Sequence, residues 1–281
     1  MAADITIKTA ADVETLRYGG RRLGDIVRRL TGEVRPGIST RDLDTLAEQW
    51  IIAAGGVPVF KGYRVKEVAT PFPASICASI NEEVVHGIPR PDKILREGDI
   101  VGIDIGMRWP AYAPTTDHRP PTNNMGVEQK AGLVTDMAVT VGVGKITPDA
   151  ARLIRATREA LDAGIAIARP GAAIGDIGHA VAARLKEDNL GIIRDLAGHG
   201  VGYELHEPPL IPNDGIQGRG AVLTEGMVIA IEPMATLGGW RIVLDDDEWT
   251  FRTADRSLAA HFEHTIAVTR DGAEVLTAPG R

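Results

Sequence analysis

The sequence predicts an α+β fold made of two similar halves, and three observations support this prediction. First, Arg-Pro-Gly occurs at residues 35–37 and again at 169–171, 134 positions later, and each copy is followed by an aspartate, Asp42 or Asp176. Second, a helical pattern lies on each side of both turns. Third, strand-like segments follow each pair of helices, so the order of elements occurs twice. A chance match of so short a motif is the alternative.

Four helices are predicted from the spacing of apolar residues and from the turn residues that bound them. Leu43, Leu46 and Trp50 recur three to four positions apart, as on one face of a helix, and the second half repeats this spacing. Proline and glycine mark the turn inside each pair. Gly55-Gly56 and Gly191 are expected to end the second helix of each pair. The predicted helices are roughly 14–33, 40–54, 148–167 and 174–188.

Strands are expected after each helix pair, at 74–81, 100–107, 133–141, 193–198, 227–235, 240–244 and 262–269. The stretch 108–130 is rich in proline, which forbids a helix and disrupts most strand pairing. We expect it to be an extended hairpin loop, and loops of this length are usually functional or disordered. The chain, 1–281, is predicted to be a single domain with halves of roughly 12–143 and 144–272.

Composition and charge exclude several classes of protein. Hydrophobic residues make up 44% of the chain, enough for a substantial core, and the net charge is −7 without a basic cluster, which disfavours nucleic-acid binding. The one cysteine, Cys77, excludes an internal disulfide and indicates a reducing compartment. No signal peptide and no run of about 18 apolar residues is present, so we expect a cytoplasmic protein without a membrane span.

Two aspartates lie within apolar, strand-like segments: Asp104 in VGIDIG and Asp136 in GLVTDMAV. A carboxylate buried in an apolar strand is costly unless it is hydrogen-bonded, paired or bound to a metal. Side chains alternate along a strand, so Asp104 shares a face with Gly102 and Gly106, which should leave room beside it. Either aspartate alone could face water on an edge strand, but two on successive strands favour metal binding.

Three further candidate ligands follow in the second half. His199 lies between glycines in AGHGVG, and His206 follows seven residues later, so two loop histidines are expected to converge on one site. Glu232 precedes Pro233 at the end of an apolar run, and Glu263 lies in the strand-like FEHTIAV. We assign His199 to a metal and His206 to a substrate, because one imidazole suffices beside four carboxylates. Taken singly, each histidine could equally be structural.

Four carboxylates and one imidazole indicate a particular metal chemistry. Structural zinc prefers thiolate and imidazole, whereas carboxylates suit a pair of hard or borderline divalent ions that share bridging oxygens. Two such ions about 3.5–4 Å apart activate a water molecule and polarise a carbonyl group, which is the chemistry of hydrolysis. One of the two glutamates can also accept the proton of that water, and we assign this role to Glu232.

His86 and Cys77 are candidates with weaker sequence signals. His86 ends the segment NEEVVH, where it could hydrogen-bond a substrate or occupy an ordinary turn. Cys77 has no neighbouring base in the sequence, so we expect a packing residue rather than a nucleophile. The remaining histidines are expected to be structural or solvated: His118, His179, His261 and His264.

In order and over nearly the whole chain, these motifs resemble those of the type I methionine aminopeptidases, metallopeptidases of the pita-bread fold. The resemblance runs from about Asp12 to Gly272 and rests on CASINEEVVHGIP, GDIVGIDIG, TDMAVTVGVG, GHGVGYELHEPP, GMVIAIEPM and SLAAHFEHTIAVT. The interval between His206 and Glu232 has no room for the helical insert of the type II enzymes. The resemblance implies a curved, mainly antiparallel sheet with two helices in each half, and hydrolytic removal of N-terminal methionine from peptides and nascent proteins.

The resemblance also implies a role for each motif residue. Two divalent ions (Co, Mn, Fe or Zn) would be bound, the first by Asp104, the second by His199 and Glu232, with Asp136 and Glu263 bridging both. The catalytic residues would be Glu232, His206 and His86, and the residues around the substrate methionine would be His86, His206, Cys77, Phe72, Trp249 and Leu205. The expected partners are methionyl peptides and nascent chains, with ribosome contact left open. A monomer is expected, with no nucleic-acid or membrane binding.

Two departures from the family pattern concern the pocket. Leu205 stands where many relatives have an aromatic residue, which alters the shape of the pocket. The interval from Asp104 to Asp136 is longer than the common pattern, so 108–130 is an insertion that either reshapes the mouth of the site or is a solvated decoration. The alternatives to the family's activity are a peptidase of other specificity, such as a prolidase, and a non-catalytic binding module. Retention of all five ligands favours an enzyme.

Overall fold

The computed structural model describes residues 5–66, 68–110 and 132–280. Within these residues, two pairs of helices are each followed by a group of strands. The first pair is α1 (Ala10–Glu33) and α2 (Thr40–Ala53), and the second pair is α3 (Pro148–Ile167) and α4 (Ile174–Glu187). The helix pairs predicted from apolar spacing are therefore present in both halves.

The strands of the described residues pair only in the antiparallel sense. In chain order they are β1 (Val57–Pro58), β2 (Ile76–Ile80), β3 (Glu83–Val85), β4 (Ile100–Trp109), β5 (Leu133–Gly142), β6 (Gly191–Ile192), β7 (Ala197–Gly200), β8 (Glu207–Pro212), β9 (Val228–Ile231), β10 (Met234–Thr236), β11 (Ile242–Leu244), β12 (Phe251–Thr253), β13 (Ala259–His261), β14 (Glu263–Thr269) and β15 (Gly272–Val275).

One large sheet joins the two halves. Its strand order is β1-β4-β5-β14-β9-β7-β8, with β2 added to β4 and β15 added to β14. Within this sheet the halves meet where β5 pairs with β14, and β3 of the first half also pairs with β12 of the second in a smaller sheet. Two smaller sheets, β13-β10-β6 and β11-β12-β3, lie beside it. The prediction of an α+β fold with a mainly antiparallel sheet is confirmed.

Local signals at the helix ends explain where the prediction and the structure differ. The hydroxyl of Thr9 accepts a hydrogen bond from the backbone of Asp12, and the Asp12 carboxylate accepts one from the backbone of Thr9, so α1 begins before position 14. Gly55, at φ 77°, follows α2 as expected. Gly191 does not end α4, because Asn189 already adopts the left-handed conformation at φ 54° and Gly191 belongs to β6.

The strand predictions were correct for the long strands and incomplete for the short ones. The segment predicted at 227–235 is divided by Pro233 into β9 and β10, because proline has no N–H to continue the ladder. The strand predicted at 193–198 lies instead at β7, Ala197–Gly200. Strands β1, β3, β6, β8, β12, β13 and β15 were not predicted. They are two to six residues long, and β1, β3, β6 and β13 depend on partners distant in sequence.

Apolar side chains on one face of the main sheet pack against the helices. Ile103 of β4 lies in one core cluster with Leu23 of α1, and Ile229 of β9 lies in another with Ile177 of α4. Successive side chains along a strand point to opposite faces, so Asp104 is directed away from the helices. Among the helices of the described residues, none has the length and apolar character needed to cross a membrane.

Candidate metal centre and substrate pocket

The five candidate ligands lie on, or directly after, five adjacent strands of the main sheet. Asp104 is on β4, Asp136 on β5, Glu263 on β14 and His199 on β7, while Glu232 directly follows β9. The sheet order β4-β5-β14-β9-β7 therefore brings together residues that are up to 159 positions apart, from 104 to 263. Neighbouring strands lie about 4.8 Å apart, close enough for side chains of adjacent strands to share ligands.

Strand register places the first three carboxylates on one face. Asp104 and Glu263 are both register partners of Ala138, on the two sides of β5. Asp136 is two positions before Ala138 and therefore points to the same face. Its backbone N–H donates to the hydroxyl of Thr265, 3.0 Å away, which holds β5 against β14 at this point. The register thus gathers Asp104, Asp136 and Glu263.

His199 adds the imidazole of the set. It is the register partner of Ala230, two positions before Glu232. Its Nε2 lies 3.5 Å from Glu232 Oε1 and 3.6 Å from Asp136 Oδ2. Its Nδ1 is 2.9 Å from the carbonyl oxygen of Gly200, so Nδ1 carries the proton and the Nε2 lone pair is free for a metal.

Within the described residues, one ligand atom from each of Asp136, His199 and Glu263 lies within 4.8 Å of the others, and all three side chains are buried. This is a group that can bind a metal ion. The expectation that His199 lies in a loop was wrong, because it belongs to β7. The close approach of β7 to its neighbours requires glycine: a Cβ at Gly200 would lie 2.2 Å from the Pro208 carbonyl oxygen.

The carboxylates are poorly suited to carry charge without a cation. Burial raises the pKa of Glu232 to about 8 and that of Asp104 to about 7. Burial also raises the pKa values of Asp136 and Glu263. Nearby carboxylates raise the pKa values of Asp104, Glu232 and Glu263 further. Oε1 of Glu263 is buried and has no hydrogen-bond partner in the described part of the chain. Hard oxygen donors with one imidazole and an unused buried oxygen fit divalent ions.

A pocket of about 520 Å³ opens beside the ligands. Four of its lining side chains are buried and were predicted to surround a substrate side chain: Phe72, Cys77, Leu205 and Trp249. The rings of Phe72 and Trp249 meet edge-on at 5.3 Å, and the Trp249 indole donates to the Thr70 carbonyl oxygen at 3.2 Å. The pocket therefore has an apolar wall at one end and acidic ligands at the other.

The space next to Asp104 is used differently from the prediction. A Cβ at Gly106 would lie 2.7 Å from the Phe60 ring, so this glycine admits Phe60, which lines the pocket, and does not leave open room. Cys77 is the register partner of Asp104, and its thiol is hydrogen-bonded to that carboxylate. Burial and the Asp104 charge raise the pKa of Cys77 well above its usual value, which disfavours a thiolate nucleophile.

His86 and His206 both reach the pocket, from opposite halves of the chain. His86 follows β3 with φ 59°, a conformation uncommon for a residue with a side chain and often found at functional sites. Burial lowers the pKa of His86 to about 4, so it is neutral near pH 7. His206 lies at the exposed mouth, with its ring 4.4 Å from that of His199. Desolvation and the neighbouring imidazoles lower its pKa as well.

Two residues of the site were missed from the sequence. Tyr63 places its hydroxyl 2.6 Å from Nδ1 of His206, and no local pattern could have identified this contact. His261, which was expected to be structural or solvated, lines the pocket with its Nε2 3.4 Å from Glu232 Oε2. Its position two residues before Glu263 was a usable signal, since alternate residues of an extended chain share a face.

The proline-rich insertion lies almost entirely outside the described residues, which exclude 111–131. On either side of it, β4 and β5 pair over their whole length, from Ile100 opposite Gly142 to Trp109 opposite Leu133. The predicted effect of 108–130 on the mouth of the pocket remains a prediction.

Sequence and structure comparisons show a single family. The profile of metallopeptidase family M24 matches residues 14–117 and 116–270. A methionine aminopeptidase of Clostridium acetobutylicum is 39% identical over 273 residues, covering 97% of this chain and 98% of the relative. Methionine aminopeptidase 1 of Mycobacterium tuberculosis is 40% identical over 276 residues, covering 96% and 94%. The chain belongs to metallopeptidase family M24.

Solved structures of methionine aminopeptidases, like the sequence relatives, are similar to this chain over its whole length. The methionine aminopeptidase of Thermotoga maritima superposes with a TM-score of 0.86 at 39% identity, covering 98% of this chain and 99% of the other. The prolidase of Pyrococcus furiosus shares the fold alone, with a TM-score of 0.69 at 22% identity over 66% of its length. The predicted pita-bread fold and the predicted resemblance to methionine aminopeptidases are confirmed.

Proposed function

We propose that this protein removes N-terminal methionine from peptides and nascent proteins by metal-dependent hydrolysis. The observation that carries the proposal is the convergence of four carboxylates and one imidazole, from five adjacent strands, beside a pocket with aromatic and sulfur-containing walls. Full-length relatives that are methionine aminopeptidases support the same activity.

We assign the ligands as the family resemblance implies. Asp104 would hold one divalent ion, His199 and Glu232 would hold the second, and Asp136 and Glu263 would bridge both. Co, Mn, Fe and Zn all accept carboxylate and imidazole donors. Bound ions would supply a water of lowered pKa and would polarise the substrate carbonyl group.

Glu232 is the proton acceptor in this proposal. As a metal ligand Glu232 would be ionised, and burial, which raises the pKa of the metal-free carboxyl group to about 8, favours its uptake of a proton from the attacking water. It faces the pocket, where the attacking water would lose its proton. The proton held by Glu232 would then be available for the departing amino group.

His206 is the hydrogen-bond donor to the substrate carbonyl oxygen. Burial raises the pKa of Tyr63, so the phenol keeps its proton and donates to Nδ1 of His206 at 2.6 Å. That contact leaves the His206 proton on Nε2, where it can meet the developing negative charge on the carbonyl oxygen. Burial keeps His86 neutral near pH 7, and its imidazole would contact the nitrogen of the scissile amide.

The methionine side chain would occupy the apolar end of the pocket. Phe72 and Trp249 offer ring edges and faces to a thioether, and sulfur–aromatic contacts are favourable. Leu205 and Cys77 complete walls that are flexible or polarisable rather than charged. This lining favours an unbranched apolar side chain.

A monomer that acts in the cytoplasm on nascent chains is part of the same proposal, and a single buried thiol is in keeping with it.

The test is peptide turnover after removal of metal by a chelator and re-addition of Co, Mn, Fe or Zn singly. We expect Met-Ala-Ser to be hydrolysed at least about tenfold faster than Leu-Ala-Ser. An apolar pocket discriminates by about this factor between side chains that differ by the size of one methylene group. Chelation should abolish turnover and at least one metal should restore it. Preference for an Ala-Pro peptide would indicate prolidase-like specificity instead. No turnover with any metal would indicate a binding module and would contradict the proposal.

A further inference from the structure

His261 is a buried imidazole at the candidate metal centre that the steps above do not use. It is 4% exposed and ends β13, where its register partner is Met234 of β10. Met234 lies two positions after Glu232, so the pairing of β13 with β10 carries His261 alongside that carboxylate.

The backbone of His261 is fixed in place from the first half of the chain. The Thr140 hydroxyl accepts a hydrogen bond from the His261 N–H and donates one to the His261 carbonyl oxygen, both at 2.9 Å. Thr140 is on β5, the strand that carries Asp136. Thr140 therefore fixes where the side chain of His261 begins, and Nε2 of that side chain lies 3.4 Å from Glu232 Oε2.

Nε2 of His261 has no hydrogen-bond partner in the part of the chain that the structure describes. A buried polar nitrogen left unpaired is unfavourable, and most buried polar atoms in native proteins have a hydrogen-bond partner. The separation from Glu232 Oε2 exceeds an ordinary hydrogen bond by only about 0.2–0.5 Å. A small rotation of either side chain would complete the bond.

A comparison with His199 separates the two imidazoles by role. His199 lies within 4.0 Å of carboxylates from two strands, Asp136 and Glu232, and its Nδ1 is hydrogen-bonded, as in a metal-binding histidine. Among the described carboxylates, His261 is within that distance of Glu232 alone. The two histidines also face different oxygens: His199 faces Oε1 and His261 faces Oε2.

We propose that His261 is a positioning residue that donates a hydrogen bond from Nε2 to Oε2 of Glu232 and thereby directs Oε1 at the metal. The inference rests on the proposed metal centre. A carboxylate that binds a metal through one oxygen needs a donor on the other, and loss of such outer partners typically weakens metal affinity about 10–100-fold. The hydrogen bond also keeps Glu232 oriented for its role as proton acceptor.

Three substitutions at His261 test this role, because they differ in whether the new side chain has an N–H donor and in how far that donor lies from the backbone. His261→Gln keeps an N–H donor at a similar distance from the backbone, His261→Asn keeps a donor that is one methylene too short, and His261→Leu has none. His179→Leu, at an exposed position on α4, is the matched control for loss of a histidine. Each protein is stripped of metal and titrated with Co(II) and with Mn(II) by calorimetry, and the Co(II) absorption spectrum is recorded.

We expect His261→Leu and His261→Asn to bind the first ion about 10–100-fold more weakly, while His261→Gln stays close to wild type. The Co(II) spectrum of His261→Gln should match that of wild type, because no ligand is lost. At saturating metal, kcat for Met-Ala-Ser should fall in the Leu and Asn variants with little change in KM. If the Leu variant does not fold, the contrast between Asn and Gln still decides the matter.

Two results would overturn the inference and leave the proposed function intact. Wild-type affinity and kcat in both the Leu and Asn variants would show that His261 does not position Glu232. An altered Co(II) spectrum with weakened affinity in the Gln variant would show that His261 is itself a ligand. Failure of the wild-type protein to bind any divalent ion would instead contradict the proposed function, and this inference with it.

Discussion

The two halves of the molecule share their framework but differ in their chemistry. Gly37 and Gly171 end the two Arg-Pro-Gly turns with φ 91° and 88°, and their amides donate to the equivalent carbonyl oxygens of Leu95 and Leu223. An aspartate then caps the next helix in each half, by accepting from the backbone of Ser39 or Ala173. The repeat seen in the sequence thus has a counterpart in backbone geometry.

The strands that follow these turns are not equivalent. The first half presents its aspartates in the middle of two ten-residue strands, β4 and β5, which pair along their whole length. The second half presents His199, Glu232 and Glu263 at or near the ends of shorter strands. Long ladders hold side chains rigidly, whereas strand ends can accommodate glycine, proline and bends. A repeated scaffold has therefore been combined with a rigid side that presents two aspartates and a more varied side that presents two glutamates and His199.

The largest expected effect is loss of either carboxylate that we propose to bridge the two ions, one from each half. We expect Asp136→Asn and Glu263→Gln each to lower kcat/KM on the order of a thousandfold, since several kcal/mol of transition-state stabilisation depend on the metals. Metal content by atomic emission and peptide turnover are measured on the same samples. His86→Ala is the matched control, expected to keep its metal and turn over slowly. Full activity in either carboxylate variant would contradict the ligand assignment.

A second prediction concerns pH and one carboxyl group from each half. Burial raises the pKa of Asp104 from an ordinary 3.8 to about 7 and that of Glu232 from 4.5 to about 8, so both hold protons in the metal-free protein at pH 6. Ligation requires the ionised forms, and the affinity for a divalent ion should therefore tighten as pH rises from 6 to 8, about tenfold per pH unit for each proton released.

The same shifts determine how stability depends on pH. Because the folded pKa values exceed the unfolded ones, the metal-free protein should lose stability as pH rises from about 4 to about 8, and metal should restore more stability at the upper end. Calorimetric titration in two buffers of different ionisation enthalpy measures the released protons. An affinity that is constant between pH 6 and 8 is the result that would refute both statements.

A smaller effect is expected at a contact between the halves. Tyr63, from the first half, hydrogen-bonds His206, from the second. Tyr63→Phe removes about 1 kcal/mol of interaction and with it the fixed position of the His206 proton, so kcat should fall about fivefold. Metal content should not change. A combined Tyr63→Phe, His206→Ala variant should be no slower than His206→Ala alone. Additive losses would show that Tyr63 acts independently of His206.

The smallest expected effect compares the two capping sites directly. In the first half the Ser39 hydroxyl accepts from the backbone of Asp42 at 3.0 Å, whereas Ala173 has no hydroxyl to accept from Asp176. Ser39→Ala should lower the free energy of unfolding by about 1 kcal/mol, and Ala173→Ser should raise it by up to about 1 kcal/mol. Urea denaturation at fixed metal concentration measures both. If Ser39→Ala and Ala173→Ser changed the free energy of unfolding in the same direction, the two helix N-termini would not be equivalent capping sites.

The sequence located features that depend on neighbouring residues. The helices could be predicted because apolar spacing and turn residues are local, as at Leu43, Leu46 and Trp50. The long strands β4 and β5 could be predicted because both are mainly apolar runs, each with one aspartate among apolar residues. The boundary at Asn189 was missed because asparagine as well as glycine can adopt the left-handed conformation that ends a helix, and Asn189 precedes Gly191.

By itself, the sequence determined which donors are available: four carboxylates in mainly apolar segments and one imidazole, a set that favours divalent cations, and a family resemblance that implies their roles. Only the tertiary structure decided that strand register places Asp104 and Glu263 on the two sides of Ala138. It also decided that β13 pairs with β10, which turns His261 from an ordinary buried histidine into a neighbour of Glu232. The physical reason is that strand pairing joins residues far apart in the chain, so no local pattern specifies which side chains meet.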